Sequence, residues 1–344
     1  MEGIMKNKLK FLILLASVFV TLVLGVAVGS ADISVGTLMN VIAHKLFGAP
    51  MSEGISPVSV SILWSIRMPR AVMAFLVGAS LAASGTVMQS VLRNPLASSY
   101  TLGVSSGASL FAAVIIVSGF TLPLIGQYTL PLFGFLGGLG TVFLAMALTL
   151  RFDRNLENQT VILVGMVLSL FVNALLTLVT ALASDRLGRL VFWQMGSFSG
   201  QSWSNCGMVL SILVVGLLVL LRYCREMDLM TFGEEQALSA GVDLQRVKLI
   251  LIAFSSLLTG TAVSLVGVIG FVDLISPHLV RKIFGSNHRL VVPMSALFGG
   301  AFMTVADMVS RTILAPQELP VGAVTALIGA PFFAYIYFQR RRGS

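Results

Sequence analysis

The sequence predicts an all-α, polytopic membrane protein of about ten transmembrane helices, and three observations predict this fold. The chain has 344 residues, of which 56% are hydrophobic and only 10% charged, whereas soluble domains carry roughly 25% charged residues. Its mean hydropathy is +0.95. Ten apolar runs alternate with short polar stretches, and a helix needs about 20 residues to cross a hydrocarbon core of about 30 Å. No soluble domain of any size fits between the runs, so residues 1–344 are read as one transmembrane domain.

The first run, 11–29, follows Lys6, Lys8 and Lys10. A secretory signal is the competing assignment, but the run is longer than the roughly 7 to 15 residues of a signal core, and it is read as an uncleaved span. Residues 30–62 form an outer segment in which Leu38, Val41, Ile42 and Leu46 recur at helical spacing, which predicts a helix lying at the interface. The second run, 68–92, opens on "RMPR". Pro69 suits a first helical turn, where its missing N–H would be unpaired anyway. Arg67 and Arg70 are then expected at a membrane surface, beside a helix N-terminus whose partial positive charge repels them. Local stability does not explain such a pair, which points to an anionic partner.

Runs 99–118, 130–150 and 159–183 follow, with small residues four apart at Gly103 and Gly107 and at Gly134 and Gly138. Gly25 and Gly29 repeat that spacing, and Gly78, Ala79, Ala82 and Ala83 crowd the second run. Such spacing lets helix backbones approach closely. Run 206–222 contains Cys206, and Cys224 lies just beyond it. Neither a disulfide framework nor a zinc pattern follows from two cysteines so placed. The loop 223–246 carries "MDLMTFGEEQALSAGVDLQR", which predicts a short helix from Glu234 to Ala240 with acids in its first turn and Gly241 as its stop. It either docks on a soluble partner or is a solvated connector. Runs 247–269, 271–284, 292–313 and 321–338 complete the ten, the eighth being too short to span unaided.

Charge orients the bundle. A net charge of +8 could suggest nucleic acid, yet the basic residues sit singly or in small groups between apolar runs, unlike the stripe of a nucleic-acid face. With both termini in the cytoplasm, 16 of the 22 lysines and arginines fall inside, as the positive-inside bias requires. The other six are Lys45, Arg67, Arg70, Arg186, Arg189 and Arg311. Five are arginines, the residue suited to bidentate carboxylate recognition, so the outer face is expected to receive an acidic protein.

Two stretches break the helical pattern, "RNPLASSYTLGVSSGAS" at 93–109 and "GVIGFVDLISPHLVR" at 267–281. Paired interruptions in two halves of a transporter point to a translocation path, although the likeness between the halves is weak and an internal repeat stays open. Asn94, Pro95, Ser98, Ser99, Asp273, Ser276, Pro277 and His278 are the path candidates. Asp273 and His278 have a plainer reading, in which they only satisfy backbone freed by a helix broken at Pro277. Asp307 and Arg311 are spaced as an intrahelical ion pair. The histidines, His44, His278 and His288, make no metal-binding motif, and the chain lacks a G-x-x-x-x-G-K-[ST] phosphate loop. No metal or other cofactor is expected in this chain, and ATP hydrolysis must come from another.

The segments "RMPRAVMAFLVGASLAASGTVMQSVLRNPLA", "LGVSSGAS", "FWQMGSFSGQSW", "GVIGFVDLISPHLVR", "NHRLVVPMSALFGGA", "ADMVSR" and "ELPVGAVTALIGAPFF" resemble the permease subunits of ABC importers for iron-siderophores, haem and cobalamin. The resemblance runs from about residue 60 to 338. It implies a type II importer in a bacterial or archaeal cytoplasmic (inner) membrane: ten spans per subunit, and a second permease, identical or paralogous, around one central path. It further implies two cytoplasmic ATPases that hold ATP and Mg, and an external substrate-binding protein, with membrane lipid around the whole. Its docking arginines map onto Arg67, Arg70 and Arg311. Its ATPase-coupling loop maps onto 227–246, with Gly233, Glu234, Glu235, Ala237, Leu238 and Gly241 as the contact element. The chain departs from the family pattern at Ser98 and Ser99, where an acid is common, at Asp273 and at Ser276. This polarity either tunes substrate choice or is neutral drift.

The resulting expectation is an ATP-driven importer permease for a ferric siderophore, with cobalamin and haem as alternatives. An ion-driven secondary transporter would need a buried acid relay, for which Asp273 is the one convincing candidate. A membrane-embedded enzyme lacks its nucleophile or metal constellation.

Overall fold

A computed structural model of the chain describes residues 2–29, 34–51, 55–182 and 186–342. The first helix, α1 (Glu2–Ala27), is followed by α2 (Val35–Phe47) and α3 (Pro57–Ser61), and α3 leads through a wide turn at Ile62–Arg67 into α4 (Met68–Val91). Then come α5 (Val104–Ser118), α6 (Thr129–Phe152), α7 (Asn158–Ala181), α8 (Leu187–Met195) and α9 (Trp203–Arg222). The short α10 (Cys224–Phe232) and α11 (Glu234–Ser239) precede α12 (Leu244–Val266), α13 (Val272–Phe284), α14 (His288–Thr312) and α15 (Val321–Arg342). All ten predicted runs fall on helices. Among the described residues, seven helices are long and apolar enough to cross a membrane, and α5 and the Val321–Ala334 part of α15 are shorter apolar helices.

The bundle is organised around α4, whose apolar window is 89% buried, against 17% for α1 and 22% for α7. Those two therefore form the periphery. Small residues let α4 take the centre: a Cβ on Gly78 would stand 2.2 Å from the Gly299 carbonyl oxygen of α14. In the outer segment, α2 is capped by Ser34 and buries Leu38 and Val41 against Val26, Leu63 and Ala71, while Leu46 points outward. This bears out the helix, docked on the bundle by one face. Residues 30–33 and 52–54 of that segment lie outside the described residues.

One expectation is corrected. Pro69 does not open a helix, because a continuous helical run begins at Pro57 and reaches Val91. It is accommodated by the wide turn before it, in which the Met68 N–H reaches back five residues to Leu63. A donor at position 69 would have met the Trp64 carbonyl in that register, and proline has none. The Trp203 indole N–H of α9 takes the place, at 2.9 Å from that oxygen. Arg67 and Arg70 thus lie inside a helix, away from any helix N-terminus. Helices α8 and α10 lie in stretches read as loop, and both are amphipathic pieces too short to announce themselves by periodicity.

Candidate functional site

The two ends of the bundle carry different chemistry. At the end assigned by charge to the outside, Arg70 is nearly buried and donates to two carboxylates. Its Nε and Nη2 reach Asp307 Oδ1 at 3.0 and 2.9 Å, and its Nη1 and Nη2 reach Glu318 at 2.7 and 3.1 Å. Two bidentate pairs on one planar fork use four of its five N–H donors. Arg67 donates to the Ala27 carbonyl at 2.9 Å, and Arg311 to that of Gly25. Both cations therefore cap the C-terminal carbonyls of α1, where positive charge is favoured. The expected Asp307–Arg311 pair is present at 3.5 Å, although Arg70 is the closer partner. The anion that these arginines called for is supplied in part within the chain, by Asp307 and Glu318.

In the middle, the two predicted interruptions touch. Ser98 caps the turn Ser99–Leu102 and donates to the Asp273 carboxylate, so two departures from the family pattern meet each other. Tyr100 donates to the Ile269 carbonyl at 2.8 Å. Ser99 lies 2.6 Å from Ser84 of α4, which also contacts the Ser255 carbonyl and Thr259 of α12. Asn94 and Pro95 build the turn itself, with Asn94 Oδ1 accepting from Leu96.

Helix α13 is not broken at Pro277; it continues from Val272 to Phe284. Pro277 leaves the Asp273 carbonyl, four residues back, without its helical donor. An ionised Asp273 carboxylate has no proton to donate to it. The Gln89 amide of α4 faces that oxygen at 3.4 Å. The approach requires Gly85, where a Cβ would lie 2.0 Å from the same oxygen. The ring of His278 lies 6.5 Å from that of Phe333 on α15, and Ser276 is buried toward Gly299 with its hydroxyl unpartnered among the described residues, which nothing in the structure explains.

At the opposite end, the predicted short helix is present as α11, Glu234–Ser239, with Ala240, its predicted last residue, as the C-cap. Gly233 turns the chain between α10 and α11 at φ 137°, a conformation that L side chains rarely adopt, and Gly241 ends the element at φ 83°. The predicted contact residues divide by face. Ala237 is buried among Met227, Met230 and Val242, while Glu235 and Leu238 are exposed beside Phe232. Glu234 is held inward by Lys248, whose ammonium is 0% exposed and also meets the Leu156 carbonyl and Asn158. Three acceptors match its three protons, so α11 is fastened to α12 and to the α6–α7 loop. A cleft of about 960 Å³, lined by Arg93, Arg154, Glu157, Phe232, Glu235 and Leu238 among others, lies against it. Cys224 opens α10, and burial pushes its thiol up to about 11. It is a packing residue. Lys248 and α10 escaped sequence reading because a lone lysine at the start of an apolar run reads as an orientation signal.

Similarity to known proteins agrees with this geometry. Residues 14–339 match the model of the FecCD transport family. The chain is 40% identical over 324 residues to the uncharacterised ABC transporter permease protein YvrB of Bacillus subtilis, covering 94% of this chain and 92% of that one. It is 40% identical to the cobalamin import system permease protein BtuC of Halobacterium salinarum, over 86% of this chain and 78% of that one. For the hemin transport system permease protein HmuU of Yersinia pestis the identity is 36%, over 81% and 84%. A solved structure of an inward-facing ABC transporter, assigned to the metal-chelate type, shares the fold with a TM-score of 0.80 at 30% identity, over 95% of this chain and 97% of that one.

Proposed function

The chain belongs to the FecCD transport family, and on that premise we propose that this ABC importer permease moves a ferric siderophore from an external binding protein into the cytoplasm, driven by ATP hydrolysis on a separate subunit. One observation carries the division of labour. A chain with no phosphate loop presents, at the end assigned to the cytoplasm, a short helix fastened from behind by Lys248 and exposing Phe232, Glu235 and Leu238. Apolar side chains exposed beside charges, outside the spans, suit a protein contact, here the ATPase. Relatives named for cobalamin and haemin import, together with the metal-chelate type of the structural neighbour, support a bulky metal chelate as cargo. We place a second permease copy across the path, and both termini in the cytoplasm.

Docking of the binding protein on Arg67, Arg70 and Arg311 is part of the proposal, and the geometry sets its terms. The guanidinium of Arg70 is already engaged, so an incoming carboxylate has to share with or displace Glu318, the half-exposed partner. The test is uptake into liposomes that contain the permease with its ATPase and binding protein. ATP-dependent accumulation of a ferric siderophore is expected. Import of cobalamin or haemin with the siderophore excluded would overturn the cargo, and accumulation under an ion gradient without ATP would overturn the class.

A further inference from the structure

A chain of polar contacts runs from α10 to the Pro277 site. Asp228 lies on α10, five residues before Gly233. Its Oδ1 accepts from His288 twice, from Nδ1 at 2.5 Å and from the backbone N–H at 3.1 Å. An ionised carboxylate can only accept, so the Nδ1 proton is held on that side. The opposite ring nitrogen, Nε2, lies 2.5 Å from Ser90 Oγ on α4. Arg281 of α13 donates to Ser90 Oγ at 3.4 Å and to Gln89 Oε1 at 2.5 Å. Gln89 then turns its amide N–H toward the Asp273 and Leu274 carbonyls, at 3.4 and 3.5 Å, the first of which Pro277 leaves without a helical donor.

Four helices meet in this chain: α10, α14, α4 and α13. His288, at its centre, is 1% exposed. Burying so many polar groups is costly unless each is paired, and directional pairing fixes relative positions in a way that apolar contact does not. Gln89, Ser90, Arg281 and His288 line a cavity of about 460 Å³ together with Arg93, Asn94 and Pro95 of the first interruption. At the far end of the polar chain, the Asp273 carboxylate accepts from Ser98 of that interruption.

We propose that His288 is a positioning residue that ties α10 to the Asp273–Ser98 contact, so that displacement of the coupling segment is transmitted to the path. This rests on the reading of α10 and α11 as the ATPase-coupling segment. Packing of Met227 and Met230 into the core is the rival route for the same motion, and it predicts a different outcome when the polar chain is cut.

The experiment measures basal ATP hydrolysis and ATP consumed per substrate imported, in liposomes holding the permease, its ATPase and the binding protein. Asp228→Ala and Gln89→Met cut the chain near opposite ends, and their side chains share no hydrogen bond. Each is expected to raise the ATP-per-substrate ratio about tenfold with basal hydrolysis within twofold of the parent. The double variant should be no worse than either single, because one cut already disconnects the relay. Asp228→Asn, which keeps an acceptor for Nδ1–H, should recover most of the coupling. Ser90→Ala removes one oxygen atom from the middle and serves if either larger change prevents assembly. Multiplied effects in the double variant, or an unchanged ratio in the singles and in Ser90→Ala, would overturn the relay. Gly233→Val separates the two levels. If it uncouples while the relay variants do not, the relay fails and the coupling reading stands; if none of them uncouples, both fail.

Discussion

Replacing Arg70 by methionine tests what holds the outer end together. The Arg70 side chain is 10% exposed, Asp307 1% and Glu318 43%. Without the guanidinium, Asp307 keeps only Arg311 at 3.5 Å as a cationic partner, and removing one member of a buried pair costs about 3–5 kcal/mol. Glu318 can turn to water, so its share is about 1 kcal/mol or less. At about 2 °C per kcal/mol for a large chain, Arg70→Met should melt about 6–10 °C below the parent and Glu318→Gln at most about 2 °C below. Arg70→Met combined with Asp307→Leu leaves no buried unpaired carboxylate there, only the half-exposed Glu318, and should regain stability relative to Arg70→Met alone, since apolar replacement of a whole buried pair is often near neutral. The assay is thermal unfolding in detergent, followed by circular dichroism. An Arg70→Met melting temperature within about 2 °C of the parent would refute the reasoning and return Arg70 to the exposed docking cation that the sequence alone suggested.

Two further outcomes follow from the inner end. Lys248→Met strands the Leu156 carbonyl and releases Glu234, at about 1–3 kcal/mol for unmet buried acceptors; melting about 2–6 °C lower is expected, and Lys248→Arg should not rescue it, because a planar fork does not match acceptors placed around an ammonium. Cys224, with its thiol pushed up to about 11, should react with maleimide about two hundredfold slower at pH 8 than a free thiol of pKa about 8.5, gaining about tenfold per pH unit toward 11. The measurement is made in a Cys206→Ser background, and prompt labelling of the folded protein would contradict the buried assignment.

Much of the fold is legible in the sequence because its signal is repetitive. Apolar runs of helical length need no tertiary context, and Glu234–Ser239 is announced by Gly233, two glutamates and Gly241. The outer cluster was legible only by half. Arg67 and Arg70 signalled an anion, but that Asp307 and Glu318 supply it depends on contacts 237 and 248 residues apart in sequence, which one sequence cannot display. His288 and Lys248 were invisible for a related reason: each is a single polar residue at a helix edge, and its role resides in the three or four acceptors and donors that the bundle assembles around it.

The two prolines show the same physics from the other side. Pro69 leaves the Trp64 carbonyl unpaired and Pro277 that of Asp273, and each oxygen is met by a side chain from another helix, Trp203 in one case and Gln89 in the other. An unpaired carbonyl in an apolar bundle costs several kcal/mol, so each proline obliges its helix to stay beside a particular neighbour. For α13 that neighbour is α4, the most buried helix. The tether runs through a side-chain amide at 3.4 Å instead of through the backbone ladder of α13 itself, and it is long for an N–H···O bond. A shift of α13 against α4 therefore exchanges this long bond together with those of Arg281 to Gln89 and Ser90, while the ladders on either side of Pro277 remain whole.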